Sequence, residues 1–390
     1  MIAITAAALI TPLERIELPL LLVDGNTIAE VTSRSARQAP ADCRVVDFPD
    51  AILAPGYLDI HIHGGGGHDI MESDPEVLPG LERLLAQHGV TAYVPTTVTA
   101  PLDKTLASLE RLASAIEAAA KQPATKADLR ARPIGIHIEG PFLSHSKRGV
   151  HPSEYLLQPS RQLFQRLWQS SRGHIKVMTI APELEGALEV IEEATKHGVC
   201  VSLGHSDADM ATTQAGIGRG ARHATHTFNA MRPLDHRDPG ILAAVLTDDR
   251  LSADIIADGI HVDPSVIKLF LRAKGPERAV LITDALSATG MPDGRYRLGS
   301  FDIEVLDGKC TAAGTNILAG SILTLDRAVR NVMQFAGWEL PQAARLASLN
   351  PACALQIKNK GVLTAGADAD LVVLNARGEV IRTVVGGVGL

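Results

Sequence analysis

Two histidines separated by a single residue stand near position 60, at the end of an apolar stretch. His61 and His63 close the run that begins at Tyr57, and four consecutive glycines follow at 64–67. Because side chains alternate along a strand, His61 and His63 point to the same side and can bind one transition metal. The glycines turn the chain away sharply, which leaves such a metal uncovered. A lone His-x-His pair also occurs on strands that bind no metal, so the prediction depends on further ligand-type residues.

Four later apolar stretches also end in residues that bind metals or transfer protons. A glutamate ends the first of them, single histidines end the next two, and an aspartate ends the last. Any one of these could be an ordinary core or capping residue, but five such strand ends are hard to ascribe to chance. Nitrogen and oxygen donors of this kind suit Zn²⁺, Fe²⁺, Co²⁺ or Mn²⁺ in a hydrolytic site. The candidate ligands are His61, His63, Glu139, His205, His226 and Asp284.

The elements that must position these residues alternate along the chain from residue 55 onward. The predicted strands are 56–63, 92–97, 134–139, 176–181, 200–205, 223–227, 252–257 and 279–283. The predicted helices are 76–88, 102–120, 160–168, 184–197, 208–218, 264–274 and 323–335. Mostly apolar strands that alternate with helices predict an α/β fold, a closed parallel (β/α)₈ TIM-type barrel whose active face lies at the carboxyl ends of the strands. A doubly wound open sheet is the alternative, and it would place the chemistry mainly at one switch point.

Both ends of the chain lie outside this alternation. The first 53 residues are rich in Ile, Leu and Val, and the segments 369–374 and 380–385 are strand-like. Because chain ends are often close in space, we expect a second, small β-sandwich domain built from residues 1–53 plus 356–390. The catalytic barrel would then span 54–355. Between the last barrel strand and the last helix, residues 295–310 alternate like a hairpin.

The composition excludes several classes of function. With 46% hydrophobic and 21% charged residues the chain is typical of soluble globular proteins, and its net charge of −7 argues against a nucleic-acid or anionic-membrane partner. Four widely spaced cysteines indicate neither a disulfide framework nor a zinc knuckle. No apolar run approaches the length of a membrane span, and no basic segment typical of a signal peptide precedes the first apolar residues. We therefore expect a cytoplasmic protein that binds neither nucleic acid nor membrane.

Seven short segments carry a more specific pattern. They are P-G-Y-L-D-I-H-I-H-G (55–64), G-I-H-I-E-G-P-F-L (135–143), K-R-G-V-H (147–151), L-G-H-S (203–206), H-T-F-N-A-M (226–231), D-G-I-H (258–261) and T-D-A (283–285). Together they resemble the N-acetylglucosamine-6-phosphate deacetylase family of the amidohydrolase superfamily, over nearly the whole chain. The H-x-H motif occurs across the superfamily, whereas H-I-E-G-P, H-T-F-N-A-M and D-G-I-H are particular to these deacetylases. The resemblance implies hydrolysis of N-acetyl-D-glucosamine 6-phosphate to D-glucosamine 6-phosphate and acetate, in amino-sugar catabolism and recycling.

The resemblance also implies how the metal is held. The ligands of the tighter metal would be Glu139, His205 and His226. The ligands of a second position would be His61, His63 and Asp284, with Glu139 as the bridge. Some family members have non-ligating residues at the H-x-H positions and use one metal, but this chain keeps both histidines. We therefore expect one or two divalent metals per subunit, zinc first, with Fe²⁺, Co²⁺ or Mn²⁺ as alternatives.

Catalytic and substrate-binding roles follow from the same resemblance. Asp284 would accept a proton from water and return it to the departing amine, and His151 would donate a hydrogen bond to the developing oxyanion. The phosphate would meet the backbone amides of Asn229 and Ala230, with cationic partners in Arg237 and His261. The substrate is thus a small amino-sugar phosphate, and the resemblance suggests a homodimer whose subunits share the phosphate site.

Two other functions compete with this interpretation. Another amidohydrolase, such as an N-acyl amino-acid or purine-deaminating enzyme, would use the same barrel and metals. A catalytically silent sugar-phosphate-binding regulator would be expected to lack Asp284 or some metal ligands, and this chain has them all. Two further histidines, His137 and His223, precede ligand candidates by two or three residues and are expected to pack or to support a ligand from deeper in the barrel.

Overall fold

Eight parallel strands form the centre of the protein. The computed structural model describes residues 1–12, 14–121, 125 and 127–390. The strands of the barrel, here called the first to the eighth barrel strand, are Tyr57–Ile62, Val90–Thr97, Ile136–Glu139, Ile175–Ile180, Cys200–Leu203, His223–Ala224, Ala253–Ile256 and Ala279–Ile282. Each of the eight predicted strands is present, with ends that differ by a few residues.

Hydrogen bonds join these strands into a ring. The first six lie side by side in one curled parallel sheet, and the seventh pairs with the eighth. The amide of Thr227 donates to the carbonyl of Asp254 at 2.9 Å and links the end of the sixth strand to the seventh. The amide of Asp284 donates to the carbonyl of His61 at 2.9 Å and links the eighth to the first. This ring fits the predicted TIM-type barrel and not the doubly wound alternative.

Helices surround the barrel strands. The α-helices are Val77–Gln87, Leu102–Lys121, Arg161–Ser170, Ala187–Lys196, Met210–Gly218, Gly240–Thr247, Pro264–Arg278, Leu325–Ala336, Leu340–Leu346 and Leu349–Ala354. Most have one buried stripe; in Leu325–Ala336 it includes Leu325, Ala328, Val329 and Val332. The sequence analysis missed three helices, Gly240–Thr247 and the two short ones after residue 339. The first of these is apolar all round and six of its residues are buried, so it has no amphipathic period to detect. In the described part of the chain, no helix is long and apolar enough to cross a membrane.

Both chain ends enter one seven-stranded sheet. Its strands are Ile2–Ile10, Arg15–Glu17, Pro19–Asp24, Thr27–Ser33, Arg44–Pro55, Leu371–Leu374 and Val380–Val384. The strand Arg44–Pro55 runs parallel to Ile2–Ile10 on one side and antiparallel to Leu371–Leu374 on the other. Buried residues from both ends, among them Leu9, Leu53 and Val373, form a core of their own. The strands follow one another in a single sheet order, so a two-sheet sandwich is not confirmed, and the domain boundaries proposed from the sequence stay a prediction.

A small antiparallel insert covers the carboxyl end of the barrel after the eighth strand. The predicted hairpin is present and has a third strand, so that the insert consists of Gly294–Leu298, Phe301–Leu306 and Lys309–Ala312. Its core includes Leu298 and Ile303 and continues into Leu286 of the barrel rim. Shorter elements complete the fold: the strands Gly64–Gly65 and His68–Asp69, the 3₁₀ turns His145–Lys147 and Ser153–Tyr155, and the strand Arg132–Pro133, which pairs with the beginning of the second barrel strand.

Candidate active site

The six candidate ligands meet at the carboxyl ends of five barrel strands. They come from the first, third, fifth, sixth and eighth strands, and each residue is between 0% and 8% exposed. Glu139 stands at the centre. Its Oε1 lies 3.0 Å from Nε2 of His226, 3.2 Å from Nε2 of His205 and 3.4 Å from Nε2 of His61. Its Oε2 lies 3.1 Å from Nε2 of His63. One carboxylate therefore faces all four imidazoles.

Asp284 closes the second half of this group. Its Oδ1 lies 3.3 Å from Nε2 of His63 and 3.5 Å from Nε2 of His61, and ligand atoms of the three residues lie within 4.8 Å of one another. On the other side, Nε2 of His205 lies 3.0 Å from Nε2 of His226. Ligand atoms of Glu139, His151 and His205 also lie within 4.8 Å of one another. The geometry thus contains two adjacent groups of ligand-type side chains, with Glu139 close to both.

Hydrogen bonds on the far side of two imidazoles fix their lone pairs toward the centre. Nδ1 of His63 lies 3.1 Å from the carbonyl of Thr96, and Nδ1 of His205 lies 2.8 Å from the carbonyl of Lys147. A carbonyl only accepts, so each Nδ1 carries a hydrogen, and in the neutral imidazole each Nε2 then presents a lone pair to Glu139. Such a lone pair and a carboxylate oxygen about 3 Å apart repel each other unless a proton or a metal ion lies between them. The residues present therefore fit a divalent metal held by nitrogen and oxygen donors.

The electrostatics of the site favour a cation. Burial raises the pKa of Glu139, but the charge of His61 and hydrogen bonds from neighbouring imidazoles outweigh it and hold this pKa well below its usual range. Burial lowers the pKa of His63, but the two carboxylates outweigh burial and raise it to about 10. Burial also raises the pKa of Asp284, and the charge of His61 and the hydrogen bond with His63 bring it below its usual value. Two ionised carboxylates therefore share the site, and a metal ion would replace the protons that they attract.

His151 faces the same centre but has the opposite hydrogen-bonding character. The backbone amide of Thr99 donates to Nδ1 of His151 at 3.3 Å, and the Thr99 hydroxyl lies 2.8 Å from the same atom. Because an amide only donates, Nδ1 is the acceptor and Nε2 carries the hydrogen. That Nε2 lies 3.4 Å from Oε2 of Glu139. His151 is therefore placed as a donor toward the centre, and His226 is the better candidate for the metal.

Three of the strand-end residues adopt left-handed backbone conformations that are uncommon outside glycine. Their φ angles are 47° for His205, 31° for His226 and 49° for Asp284. Such conformations cost on the order of 1–3 kcal/mol each and persist only where neighbours hold them in place. They turn the chain just past the strand end, which directs the three side chains inward.

A buried aspartate that the sequence analysis missed holds one of these residues. The carboxylate of Asp254, which is 2% exposed, accepts a hydrogen bond from the backbone amide of His226. Its second oxygen lies 2.9 Å from Nε2 of His223, whose Nδ1 lies 2.6 Å from the hydroxyl of Ser252. His223 thus supports a ligand from below. Among the described residues, the hydrogen-bond partners of His137 are the hydroxyls of two threonines, and its ring packs against that of His61. A carboxylate inside the apolar strand Ala253–Ile256 was the signal that could have identified Asp254.

A cavity of about 410 Å³ opens above the ligands. One wall is apolar and comes largely from the insert and its neighbours, including Leu286, Leu298, Ile317 and Leu318. Another part of the lining, here called the polar wall, includes Lys147, Asn229, Ala230 and His261. The structure therefore brings three of the four predicted phosphate-binding residues to the cavity, together with Lys147.

The backbone amide of Ala230, on the polar wall, is available to a ligand. In the described part of the chain the amide of Ala230 donates no hydrogen bond, whereas the amide of Asn229 donates to the carbonyl of His226 at 2.9 Å. Nδ1 of His261 lies 2.7 Å from Oδ2 of Asp258, which orients the ring. Burial raises the pKa of Asp258, but the hydrogen bond and charge of His261 lower it below its usual value. Arg237 is exposed and does not line the cavity of its own chain.

The chain is similar to named deacetylases over most of its length. Residues 52–389 match the Amidohydrolase family. The chain is 40% identical over 356 residues to N-acetylglucosamine-6-phosphate deacetylase of Bos taurus, an alignment that covers 87% of this chain and 84% of that protein. It is 38% identical over 338 residues to N-acetylgalactosamine-6-phosphate deacetylase of Escherichia coli O157:H7, covering 86% and 87% of the two chains. A solved structure of a mutant N-acetyl-D-glucosamine-6-phosphate deacetylase from Mycobacterium smegmatis, in complex with N-acetyl-D-glucosamine-6-phosphate, matches with a TM-score of 0.92 and 34% identity, covering 100% of this chain and 98% of that one.

Proposed function

The chain belongs to the amidohydrolase family, and we propose that it hydrolyses N-acetyl-D-glucosamine 6-phosphate to D-glucosamine 6-phosphate and acetate. The observation that carries this proposal is the position of Glu139, a carboxylate from the third strand within 3.4 Å of five imidazoles, below a cavity with a polar wall. Named relatives that align over most of the chain act on N-acetylated hexosamine 6-phosphates.

The metal would be held in one or two positions. Glu139, His205 and His226 would hold the tighter ion, and His61, His63 and Asp284 would complete a second position with Glu139 as the bridge. A divalent metal, zinc by expectation, supplies a Lewis acid that polarises the acetyl carbonyl and makes a water acidic near neutral pH. The chain itself supplies the rest: binding, orientation and movement of the proton.

Asp284 is the proton carrier in this proposal. Its carboxylate is ionised, buried and aimed at the ligand centre, so it can take a proton from the attacking water. The water oxygen forms a bond to the acetyl carbon, and the bond from that carbon to the sugar nitrogen then breaks. An amine leaves poorly unless protonated, so Asp284 returns its proton to the nitrogen as the bond breaks.

His151 would stabilise the negative charge on the acetyl oxygen. Its Nε2 carries a hydrogen because Nδ1 accepts from the Thr99 amide. A donor fixed in advance at the position where charge develops stabilises the transition state more than the substrate. The contact at 3.4 Å to Glu139 places this hydrogen near the ligand centre.

The phosphate would lie against the polar wall, where the free amide of Ala230 and the imidazole of His261 can donate to it. The backbone amide expected from Asn229 is not free, because it donates to the carbonyl of His226, so Asn229 would contribute through its side chain. Arg237 would reach a phosphate only from a second subunit, which agrees with the expected homodimer and its shared site. We further propose a cytoplasmic enzyme of amino-sugar catabolism and recycling.

Acetate release from a panel of substrates tests the proposal. N-acetylglucosamine 6-phosphate, N-acetylgalactosamine 6-phosphate and non-phosphorylated N-acetylglucosamine would be compared with purified protein, before and after chelation and after return of Zn²⁺. We expect activity on the 6-phosphates, loss with the chelator and recovery with metal. Equal activity on the non-phosphorylated sugar would favour another amidohydrolase, and binding of the sugar phosphate without turnover by the metal-loaded protein would favour the silent regulator.

A further inference from the structure

The backbone of Asp284 is held from two sides. Its amide donates to the carbonyl of His61 at 2.9 Å, and its carbonyl accepts from the amide of Ser321 at 2.7 Å. Asp284 has a φ of 49°, a conformation that requires such support. The support from the His61 side is part of barrel closure, whereas Ser321 belongs to the segment that returns from the insert.

Ser321 is bonded through each of its polar groups. Its hydroxyl donates to the carbonyl of Thr283 at 2.5 Å and accepts from the amide of Leu323 at 3.0 Å. Its own carbonyl accepts from the amide of Leu286 at 3.0 Å. The residue is 2% exposed, so these bonds are shielded from water. Ser321 therefore ties together the residues on both sides of Asp284 in the sequence.

The neighbouring glycine allows this close approach. Gly320 has a φ of +46°, and a Cβ at this position would lie 2.8 Å from the carbonyl oxygen of Asp284 and 2.7 Å from Cδ2 of Leu286. Contacts this short cannot be tolerated without movement of the backbone of Asp284 or of the segment itself. A residue larger than glycine would therefore displace the carboxylate that faces the ligand centre.

We propose that Ser321 is a positioning residue for Asp284 and that Gly320 permits its contact. The inference rests on the proposed function, because Asp284 is the proton carrier there. The segment is continuous with the insert, since the amide of Ala319 donates to the carbonyl of Cys310 at 3.1 Å. The insert is thus linked to Asp284 by backbone hydrogen bonds, in addition to its contribution to the apolar wall of the cavity.

The expected kinetic signature follows from where the substrate is held. Ser321 does not line the cavity, and the proposed phosphate contacts come from other residues, so substrate binding should not depend on the Ser321 hydroxyl. Proton transfer by Asp284 depends on its position within a fraction of an ångström. Loss of the Ser321 hydroxyl should therefore lower kcat and leave KM nearly unchanged.

Three variants and one control test the proposal. Ser321→Ala removes the hydroxyl, Gly320→Ala introduces the close contact, and Asp284→Asn removes the proton acceptor. The control is Ser287→Ala. Ser287 is also a buried serine, and its hydroxyl donates to the carbonyl of Arg297 at 2.7 Å. This hydrogen bond does not involve Asp284. Bound metal and circular dichroism are measured for each purified variant, so that loss of metal or fold is separated from loss of turnover.

We expect kcat to fall roughly 10-fold in Ser321→Ala and roughly 100-fold in Gly320→Ala, since a displacement near 1 Å costs about 10²-fold. In Ser321→Ala, KM and metal content should stay within about twofold, and Ser287→Ala should resemble the parent. The KM comparison uses Ser321→Ala alone, because Gly320 lines the cavity and Ser321 does not. In an Asp284→Asn background, Ser321→Ala should cause no further loss, because both changes act on the same proton transfer.

Two results would overturn the proposal. The first is a kcat of Ser321→Ala that equals the kcat of Ser287→Ala. The second is a decrease in kcat on Ser321→Ala that is just as large in the Asp284→Asn background, because a purely structural role would act independently of the carboxylate. Failure of the proposed function gives a different pattern. If Asp284→Asn alone turns over at the parent rate, the role assigned to Asp284 is wrong, and the positioning role of Ser321 falls with it.

Discussion

The carboxylate of Asp254 accepts a hydrogen bond from the backbone amide of His226, one barrel strand away. The carbonyl of Asp254 accepts from the next amide, that of Thr227, at 2.9 Å. Nδ1 of the His226 ring has no hydrogen-bond partner among the described residues, so this ligand is oriented through its backbone and not through its ring. Residues that orient ligands in this way affect metal affinity without touching the metal.

Replacement of Asp254 should therefore weaken metal binding. Asp254→Ala leaves the His226 amide buried and unpaired, and we expect the affinity for Zn²⁺ to fall by roughly 10–100-fold, the usual effect of losing such a partner. Asp254→Asn, which keeps an acceptor oxygen, should lose less. Competition with a chromophoric chelator measures the affinity, and Asp302→Ala, an exposed carboxylate on the insert, is the control. An unchanged affinity in Asp254→Ala would contradict the orienting role.

The two ligand sets should be separable by mutation. In His61→Asn with His63→Asn, Glu139, His205 and His226 all remain, so the double variant should keep the tighter metal and lose at most the second. His205→Asn should lose the tighter one. Metal content per subunit, measured by atomic emission after gel filtration, distinguishes the two outcomes. Complete loss of metal in the double variant would show that the sets are not independent.

Removal of the proton acceptor should slow turnover strongly. Asp284→Asn keeps the size of the side chain but cannot accept a proton, so we expect kcat to fall by roughly 10²–10⁴-fold, the usual range for general acid–base catalysis. KM should change little, because the phosphate contacts are intact. Steady-state acetate release measures both quantities. Near-normal turnover would move the base to another group, with His151 next in position.

Arg237 allows a test of the shared phosphate site. Loss of a charge-assisted contact to phosphate should raise KM for the 6-phosphate by roughly 10–100-fold in Arg237→Ala and leave the non-phosphorylated sugar unaffected. Since Arg237 does not line the cavity of its own chain, such a rise in KM would indicate that a partner subunit supplies the guanidinium.

Mixed dimers complete that test. When Arg237→Ala and Asp284→Asn subunits exchange at equal amounts, half of the dimers are hybrids and each hybrid has one intact site, so about one quarter of the parent activity should return. Activity that stays at the sum of the two parents after verified exchange would contradict a shared site. A fully active monomer by light scattering would do the same.

Glu82 should make the stability of the fold depend on pH. It is buried on the helix Val77–Gln87, with the Tyr93 hydroxyl at 3.2 Å and Arg130 at 3.5 Å. Burial raises its pKa from 4.5 to about 7, more than Arg130 and Tyr93 lower it. Between these values the folded chain holds a proton that the unfolded chain has released, so stability falls as pH rises from about 4.5 to 7.

The contribution of Glu82 can be isolated with a neutral variant. The pKa difference of Glu82 between the folded and unfolded states changes the free energy of unfolding by at most about 3 kcal/mol, at 1.36 kcal/mol per pKa unit. The free energy of unfolding of Glu82→Gln, minus that of the parent, should therefore be larger at pH 8 than at pH 5. Urea unfolding of both proteins at the two pH values, with metal removed, gives the difference. A difference between parent and variant that does not change with pH would show that Glu82 titrates normally.

The sequence was informative about the barrel and its ligands for a physical reason. Each parallel strand is buried on both faces and reads as a short apolar run, and the ligands follow directly at the strand ends. His205 and Asp284 could therefore be placed without knowledge of any contact. The helix Gly240–Thr247 escaped detection because it is buried on every side and has no period.

Residues whose role depends on contacts between distant segments were harder to predict. Asp254 precedes no glycine turn and ends no strand, and only the structure brings its carboxylate to the amide of His226. Ser321 lies in a loop 37 positions after Asp284, and nothing local in the sequence distinguishes it from other serines. The sheet made by the chain ends depends on pairing between residues that are far apart in the sequence. The sequence therefore predicted that the two ends form one β-domain, but not that its strands form a single sheet.

The pairing of the chain ends has a consequence for synthesis on the ribosome. The strand Arg44–Pro55 is complete early, but its second neighbour, Leu371–Leu374, emerges about 300 residues later, roughly 15–60 s at usual rates of translation. During that interval the nascent chain presents an unpaired strand edge, the feature by which proteins aggregate. Pairing with Leu371–Leu374 covers this edge, so the exposure to aggregation during synthesis ends only when those residues have been translated.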